Sequence, residues 1–129
     1  MHKSKTSRTG SLGEDIASQF LTGRGFAIVE RNFRKPWGEI DLIAEKDGII
    51  HFVEVKAVSR ALDQDGSYEI DYRPEEMVTR SKLHKVVRTA TLYMESHNDR
   101  REFQIDVLGV VMDPEKRVAR CRLFEQVLE

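Results

Sequence analysis

Apolar residues recur along the chain with a spacing that predicts one helix followed by three strands. Residues 11–21 (SLGEDIASQFL) place five apolar side chains on one helical face: Leu12, Ile16, Ala17, Phe20 and Leu21. Ser11 followed by Glu14 matches a capping box, so the helix is predicted to begin at Ser11. Three shorter stretches then predict strands: FAIVERNF (26–33), EIDLIAE (39–45) and IIHFVEVK (49–56).

The second half of the chain continues with a predicted loop, a helix and two strands. Residues 57–73 read as a long loop, and the following helix begins near Pro74 or is capped by Thr79. Its apolar stripe consists of Leu83, Val86, Val87, Ala90 and Met94. Residues 102–112 and 117–124 are predicted strands. The order αβββαββ predicts an α/β fold in which helices pack against a central mixed sheet.

A short turn fixes how the second and third strands align. The Asp-Gly pair at 47–48 favours a two-residue type I′ hairpin. With that turn, Asp41 lies directly opposite Glu54, and Glu39 lies opposite Lys56. Directly opposed side chains point to the same face, with Cβ atoms about 5 Å apart. A shift of one residue would move them to opposite faces, so the pairing is a sharp prediction.

This pattern of acidic and basic residues suits metal-assisted hydrolysis of a phosphodiester. Two carboxylates about 5 Å apart repel each other unless a proton or a cation lies between them. Mg²⁺ prefers such oxygen ligands and fills its remaining positions with water and phosphate oxygens. Lys56, two residues along the strand from Glu54, could orient or deprotonate the attacking water. The alternative is a surface ion pair of Lys56 with Glu39, although exposed pairs contribute little to stability.

The overall composition predicts a globular cytoplasmic protein. Its 129 residues are 40% hydrophobic and 33% charged, and no apolar run approaches the length of a membrane span. A single cysteine, Cys121, excludes an intrachain disulfide, and the polar N-terminus does not resemble a secretion signal. We expect residues 1–9 to form a flexible basic tail and residues 10–129 to form a single domain.

Charged residues are distributed unevenly along the chain, although the net charge is close to zero. A net charge of −1 and a pI of about 6.4 argue against indiscriminate nucleic-acid binding. Residues 80–88 nevertheless carry four basic side chains and no acid: Arg80, Lys82, Lys85 and Arg88. Such a helix is compatible with contacts to a nucleic-acid backbone and equally with an ordinary solvated surface.

Three other positions have structural interpretations. Gly13 lies on the apolar face of the first helix, where a missing side chain would let the sheet come close. His51 has no neighbouring cysteine or histidine at metal-ligand spacing, so it is predicted to be a surface or half-buried residue. Asp106 interrupts an apolar strand without any local explanation.

The segment GEIDLIAEKDGIIHFVEVK (38–56) resembles the signature of the YraN-like family of uncharacterised bacterial proteins. That family is related to the restriction-endonuclease-like, PD-(D/E)xK nuclease superfamily, which includes archaeal Holliday-junction resolvases. The similarity extends upstream through GSLGEDIASQFL (10–21) and, more faintly, over most of the chain. It implies a restriction-endonuclease-like core with the same αβββαββ order.

The resemblance also implies roles for individual residues. Asp41 and Glu54 would bind Mg²⁺ or Mn²⁺, Lys56 would be the catalytic lysine, and Glu14 would reach the same site from the first helix. The carbonyl group of Val55 would be a further metal ligand. Glu14 has an alternative role as the capping-box partner of Ser11, a role that conflicts with reaching a metal.

The substrate implied by the resemblance is DNA, including branched or damaged DNA. Arg34, in an N-x-R pattern like that of the family, and the basic residues of 80–88 are the predicted backbone contacts. Family members commonly follow the Glu-x-Lys strand with Thr-Arg, whereas Ala57 and Val58 follow here, so a phosphate contact is missing unless Arg60 supplies it. A symmetric homodimer would suit cleavage of both strands. The alternatives are a nucleic-acid-binding module without turnover and a protein-interaction domain that retains the fold.

Overall fold

In the part of the chain that the structure describes, two helices and five strands follow one another in the order predicted from the sequence. The structure is a computed structural model that describes residues 5–62 and 78–128, with side chains in the first helix from Gly10 onward. Its elements are α1 (Lys5–Gly23), β1 (Ala27–Lys35), β2 (Gly38–Lys46), β3 (Ile49–Ser59), α2 (Arg80–Ser96), β4 (Phe103–Asp113) and β5 (Val118–Phe124). No helix in this part of the chain is long and apolar enough to cross a membrane.

The five strands form one mixed sheet in the order β1-β2-β3-β4-β5. Neighbouring strands are antiparallel except β3 and β4, which are parallel. A parallel pair needs a long crossover connection, and α2 lies in the connection between β3 and β4. The predicted α/β class with a central mixed sheet and flanking helices is confirmed.

The hairpin between β2 and β3 has the predicted turn and register. Asp47 and Gly48 have φ values of 52° and 78°, and positive φ at both central positions is the requirement of a type I′ turn. The paired residues run from Lys46 with Ile49 to Leu42 with Val53. Asp41 and Glu54 follow directly after this last pair, as the predicted alignment requires, whereas the predicted pairing of Glu39 with Lys56 lies beyond the paired residues and is not formed.

β2 and β3 separate beyond this last pair. β2 continues alongside β1, with Ile40 paired to Phe33, whereas β3 continues alongside β4 as far as Ser59. The sheet therefore divides into two arms, and we call the point of separation the fork. Asp41 begins one arm of the fork and Glu54 begins the other.

The helices pack on opposite faces of the sheet. The α1 face buries Ala17, Leu21, Phe26, Leu42, Ala44, Val53, Leu108, Val110 and Met112. The other face buries residues of α2 with residues of the sheet, among them Leu83, Val86, Ala90, Tyr93, Phe52 and Ile105. Each face therefore has its own apolar core, and the removal of this area from water is the main stabilising contribution.

A glycine brings each helix close to the sheet. A Cβ atom at Gly13 of α1 would collide with the Cβ atom of Ala57 in β3, which confirms the predicted close approach. A Cβ atom at Gly38, the first residue of β2, would collide with the hydroxyl of Thr89 in α2. These two contacts fix how far each helix lies from the fork.

The helix boundaries correct part of the sequence prediction. α1 begins at Lys5 rather than at Ser11, so the predicted capping box is wrong. In a helix that starts at Lys5, the N–H groups of residues 11–14 have partners in the preceding turn and need no cap. Residues 5–9, which we expected in a flexible tail, have helical backbone, and residues 1–4 lie outside the described residues.

The start of α2 agrees with one of the two predicted alternatives. Thr79 has an extended backbone and its hydroxyl accepts the N–H of Lys82 at 3.1 Å, as an N-cap residue does. Pro74, the other predicted start, lies outside the described residues. β3 extends to Ser59, three residues into the predicted 57–73 loop, because Ala57, Val58 and Ser59 still pair with β4.

Candidate metal centre

Asp41 and Glu54 come together at the fork. They lie close enough for each carboxyl group to change the pKa of the other. Asp41 Oδ2 also accepts the backbone N–H of Val55 at 2.8 Å. This bond crosses from one arm of the sheet to the other and fixes the direction of the Asp41 carboxylate.

Burial makes this pair electrostatically unfavourable without a partner. Glu54 is only 4% exposed. Burial, and then the charge of Asp41, raises the pKa of Glu54 to about 7. Burial also raises the pKa of Asp41, although the N–H of Val55 opposes that change. At neutral pH the two carboxylates therefore require a shared proton or a nearby cation.

Among the described residues, the cation nearest to Glu54 is Lys82 of α2. Its Nζ atom lies 2.6 Å from Glu54 Oε1. Burial lowers the pKa of Lys82, but the hydrogen bond and charge of Glu54 outweigh it, so the net pKa is raised. From the sequence we expected Lys82 to contact nucleic acid. The structure places its ammonium group at the carboxylate pair, and its contact with nucleic acid stays a prediction.

Lys56, the predicted catalytic lysine, has an exposed side chain two residues beyond Glu54 on β3. Within residues 10–62 and 78–128 it makes no ion pair. Glu39, its partner in the alternative surface pair, instead approaches Arg34, with Nε and Oε2 3.8 Å apart. That surface pair is therefore wrong, and the catalytic role of Lys56 stays a prediction.

Glu14 faces the site from α1. Burial and then the charge of Asp41 raise its pKa, while a hydrogen bond with Asn32 opposes the change. Asn32 has a left-handed backbone, with φ at 53°. In the described part of the chain, Glu14 does not form a group with Asp41 and Glu54 whose ligand atoms all lie within 4.8 Å of one another. The charge of Asp41 therefore affects the pKa of Glu14, but in the described residues the three carboxylates do not form a compact set of metal ligands.

The donor set fits Mg²⁺ or Mn²⁺. Two carboxylates whose charges exceed the single ammonium group beside them attract a divalent cation. Mg²⁺ takes one or two protein carboxylates and keeps water in its other positions, so an incomplete protein ligand set is the usual one. Val55 contacts the site through its N–H group, and a metal bond from its carbonyl oxygen stays a prediction.

The other residues that were predicted to contact a nucleic-acid backbone lie on the protein surface. Arg80, Lys85 and Arg88 are exposed along α2, and Arg34 is exposed at the end of β1. Exposed guanidinium and ammonium groups are available to phosphate oxygens, but exposure alone does not identify a ligand. Their contact with nucleic acid stays a prediction.

Sequence reasoning missed a buried polar pair on the neighbouring strands. His51, predicted to be at or near the surface, is 4% exposed, and its Nδ1 lies 2.6 Å from Asp106 Oδ2. Asp106 is fully buried, and its other oxygen accepts the side-chain N–H of Gln104 at 2.8 Å and the backbone N–H of Gln126 at 3.0 Å. Both residues interrupt apolar stretches, which was the signal available in the sequence.

This polar network has a structural role. His51, Asp106 and Glu125 are the group in the described residues whose possible ligand atoms lie within 4.8 Å of one another. Both oxygens of Asp106 already accept hydrogen bonds, so the network is satisfied without an ion. It holds the segment after β5 against β4, where the N–H of Val127 also bonds to the carbonyl of Ile105.

A family model described as "Uncharacterised protein family UPF0102" matches residues 13–110. The chain belongs to the UPF0102 family. The UPF0102 protein of Campylobacter lari is 41% identical over 104 residues, which cover 81% of this chain and 84% of the relative. The UPF0102 protein of Campylobacter fetus is 40% identical over 101 residues, covering 78% and 81%. The UPF0102 protein of Campylobacter concisus is 42% identical over 102 residues, with the same coverage.

The family match includes every residue of the candidate metal centre. Glu14, Asp41, Glu54, Lys56 and Lys82 all lie between residues 13 and 110, whereas β5 follows the matched segment. Membership in an uncharacterised family is confirmed. The relation to the PD-(D/E)xK nucleases stays a prediction, because the names of these relatives state no activity.

Proposed function

We propose that this UPF0102 protein is a divalent-metal-dependent nuclease that hydrolyses DNA phosphodiester bonds in the cytoplasm. The observation that carries the proposal is the placement of half-buried Asp41 beside buried Glu54 at the fork, where each changes the pKa of the other. A pair of carboxylates with raised pKa values destabilises a protein, so its presence in an apolar setting favours a binding role. Mg²⁺ or Mn²⁺ is the ligand that suits these oxygens.

Each residue of the centre has a separate task in this proposal. A bound divalent ion supplies Lewis acidity and lowers the pKa of its water. Asp41, oriented by the N–H of Val55, and Glu54 hold the ion. Glu14 assists from α1 as an acceptor for water. Lys56 orients the attacking water or neutralises charge on the phosphate, because it follows Glu54 on the same strand and has no acidic partner in the described residues.

DNA is the proposed substrate, including branched or damaged DNA. The exposed basic residues Arg34, Arg80, Lys85 and Arg88 would hold phosphate groups. Such contacts position the duplex without reading its sequence, and they weaken as the salt concentration rises. A homodimer would present two centres for the two strands of the duplex.

Calorimetry with Mn²⁺ and Mg²⁺ tests the metal centre directly. We expect one ion to bind the intact protein, and Asp41→Asn or Glu54→Gln to abolish binding. Glu39→Gln is the matched control, since Glu39 lies on β2 two residues from Asp41 but its carboxylate approaches Arg34 on the surface. Equal binding by the intact protein and the two site variants would refute the assignment of the ligands.

Cleavage assays then test the reaction. Linear, flapped and four-way DNA would be incubated with Mg²⁺ or Mn²⁺, and metal-dependent cleavage that Lys56→Ala removes is the expected result. A cleavage rate that Lys56→Ala leaves unchanged would refute the role given to this lysine. Activity that survives Asp41→Asn would indicate a contaminating nuclease.

A second candidate is a nucleic-acid-binding module without turnover. It is favoured by the contact of Lys82 with Glu54, which partly neutralises the site without a metal, and by Ala57-Val58 in place of the Thr-Arg common in the resembled family. This candidate predicts salt-dependent DNA binding that neither a chelator nor Asp41→Asn changes. Fluorescence anisotropy with a labelled duplex distinguishes it from the nuclease.

A further inference from the structure

Lys82 reaches the carboxylate pair from α2 and has no role in the proposed reaction so far. Its Nζ atom lies 2.6 Å from Glu54 Oε1, and 48% of its side chain is exposed, against 5% for Glu54. The ammonium group therefore lies between a buried acid and solvent. No feature of the sequence connects these two residues, which are separated by the whole β3–α2 connection.

The position of Lys82 is fixed by its helix. Thr79 accepts the backbone N–H of Lys82 and so holds the first turn. The next residue, Leu83, is buried in the core of the α2 face. Further along, Thr89 lies against Gly38 at the start of β2, which sets the distance between α2 and the fork. The contact with Glu54 follows from this packing rather than from a freely moving surface chain.

A divalent ion and this ammonium group would compete for the same acid. The two carboxylates carry up to two negative charges, and Lys82 offsets one of them. A metal ion bound to Asp41 and Glu54 would add two positive charges within a few ångströms of Nζ. Like charges at that distance repel strongly in a partly buried site. The metal ion and the ammonium group therefore cannot both bind Glu54 in their most favourable positions.

We propose that Lys82 is the resident counter-ion of this site, which holds Glu54 in the metal-free protein and releases it when a divalent ion binds. This inference rests on the proposed metal site. The released ammonium group would remain beside the ion on its exposed stem, where a phosphate oxygen of the substrate is the next available anion. Lys82 is thus a positioning residue that sets metal affinity, and its role is separate from that of Lys56.

Metal affinity is the first test. Mn²⁺ binding would be measured by calorimetry at pH 8 for the intact protein, for Lys82→Met and for the control Lys85→Met. Lys85 lies one turn further along α2 and is exposed. Loss of the competing charge should tighten Mn²⁺ binding by Lys82→Met roughly tenfold. Lys85→Met should bind as the intact protein does. Unchanged or weaker binding by a folded Lys82→Met variant would overturn the proposal.

Release of the lysine can be measured in the unmodified chain. Lysines would be labelled with an acylating reagent, with and without Mn²⁺, and the rate at each lysine read by mass spectrometry. Mn²⁺ should raise the labelling rate of Lys82 several-fold and leave that of Lys85 unchanged. An unchanged rate at Lys82 in the presence of bound Mn²⁺ would overturn the proposal, even if Lys82→Met does not fold.

The two proposals fail in different ways. If the intact protein and Lys82→Met bind Mn²⁺ with equal affinity, the metal site stands and only the role of Lys82 is refuted. If neither protein binds Mn²⁺ or Mg²⁺, the metal site itself is refuted, and the contact of Lys82 with Glu54 is then a permanent ion pair.

Discussion

Replacing Glu54 by glutamine should stabilise the protein at alkaline pH. The carboxyl group is 5% exposed, and burial with the charge of Asp41 raises its pKa from 4.5 to about 7. Below pH 4.5 the group is protonated in the folded and unfolded chains alike. Between pH 4.5 and 7 only the folded protein keeps the proton, so stability falls as the pH rises. Above pH 7 the buried carboxylate is ionised, and the loss of folding stability that it causes is complete.

The size of the effect follows from the difference in pKa. A folded-state pKa of about 7, against 4.5 for an ordinary glutamate, corresponds to a loss of about 3 kcal/mol. Glutamine has nearly the same shape and cannot ionise, so Glu54→Gln should remove this loss. We expect the stability difference between the variant and the intact protein to grow by about 2–3 kcal/mol from pH 5 to pH 8.5.

Urea unfolding in the absence of divalent ions, followed by circular dichroism at several pH values, measures this difference. Glu39→Gln is the control, because its side chain is 56% exposed and its replacement should change stability by about 0.5 kcal/mol or less. A Glu54→Gln variant that is less stable than the intact protein at pH 8.5 would refute the reasoning. It would mean that the ion pair with Lys82 more than offsets the burial of the acid.

Three further substitutions test how the helices and the C-terminal segment are held, all by urea unfolding. Gly38→Ala should cost about 1–3 kcal/mol, because its Cβ atom collides with the Thr89 hydroxyl; an unchanged midpoint would contradict that contact. Gly13→Ala should cost a similar amount, and adding Ala57→Gly should restore most of it, whereas additive losses would argue against a direct collision. Asp106→Ala should cost about 3 kcal/mol or more, because it removes the acceptor that three donors share, and a loss below about 1 kcal/mol would show that water replaces the carboxylate.

The hairpin at the centre of the site was predictable because its determinants are local. A type I′ turn needs two residues that tolerate positive φ, and Asp47-Gly48 is such a pair. Once the turn is set, the register follows residue by residue up to Leu42 and Val53. The juxtaposition of Asp41 with Glu54 could therefore be read from the chain alone.

The parts that were not predicted depend on packing between distant segments. Lys82 reaches Glu54 only because α2 lies at a particular distance from β2, which Gly38 and Thr89 determine. His51 meets Asp106 only because β3 and β4 are parallel with a specific register, and no short turn sets that register. The spacing of apolar residues identifies the helices and strands. It does not determine the distance between α2 and β2 or the register between β3 and β4.

The error at α1 has a different cause. Ser11 and Glu14 have the spacing of a capping box, but a cap matters only where backbone N–H groups lack helical partners. The helix extends back to Lys5, so the same two residues lie in its interior. Glu14 is then not required at a helix terminus, and its carboxylate lies near Asp41 and Asn32 instead.

The fork makes the spacing of the two acids depend on the angle between two halves of the sheet. Asp41 belongs to the arm formed by β1 and β2, and Glu54 belongs to the arm formed by β3, β4 and β5. Beyond Leu42 and Val53, the hydrogen bond from the N–H of Val55 to the carboxylate of Asp41 connects the two arms. A change in the angle between the two arms would therefore change the distance between the two carboxylates. A bound ion of a given radius would in turn set the twist of the sheet.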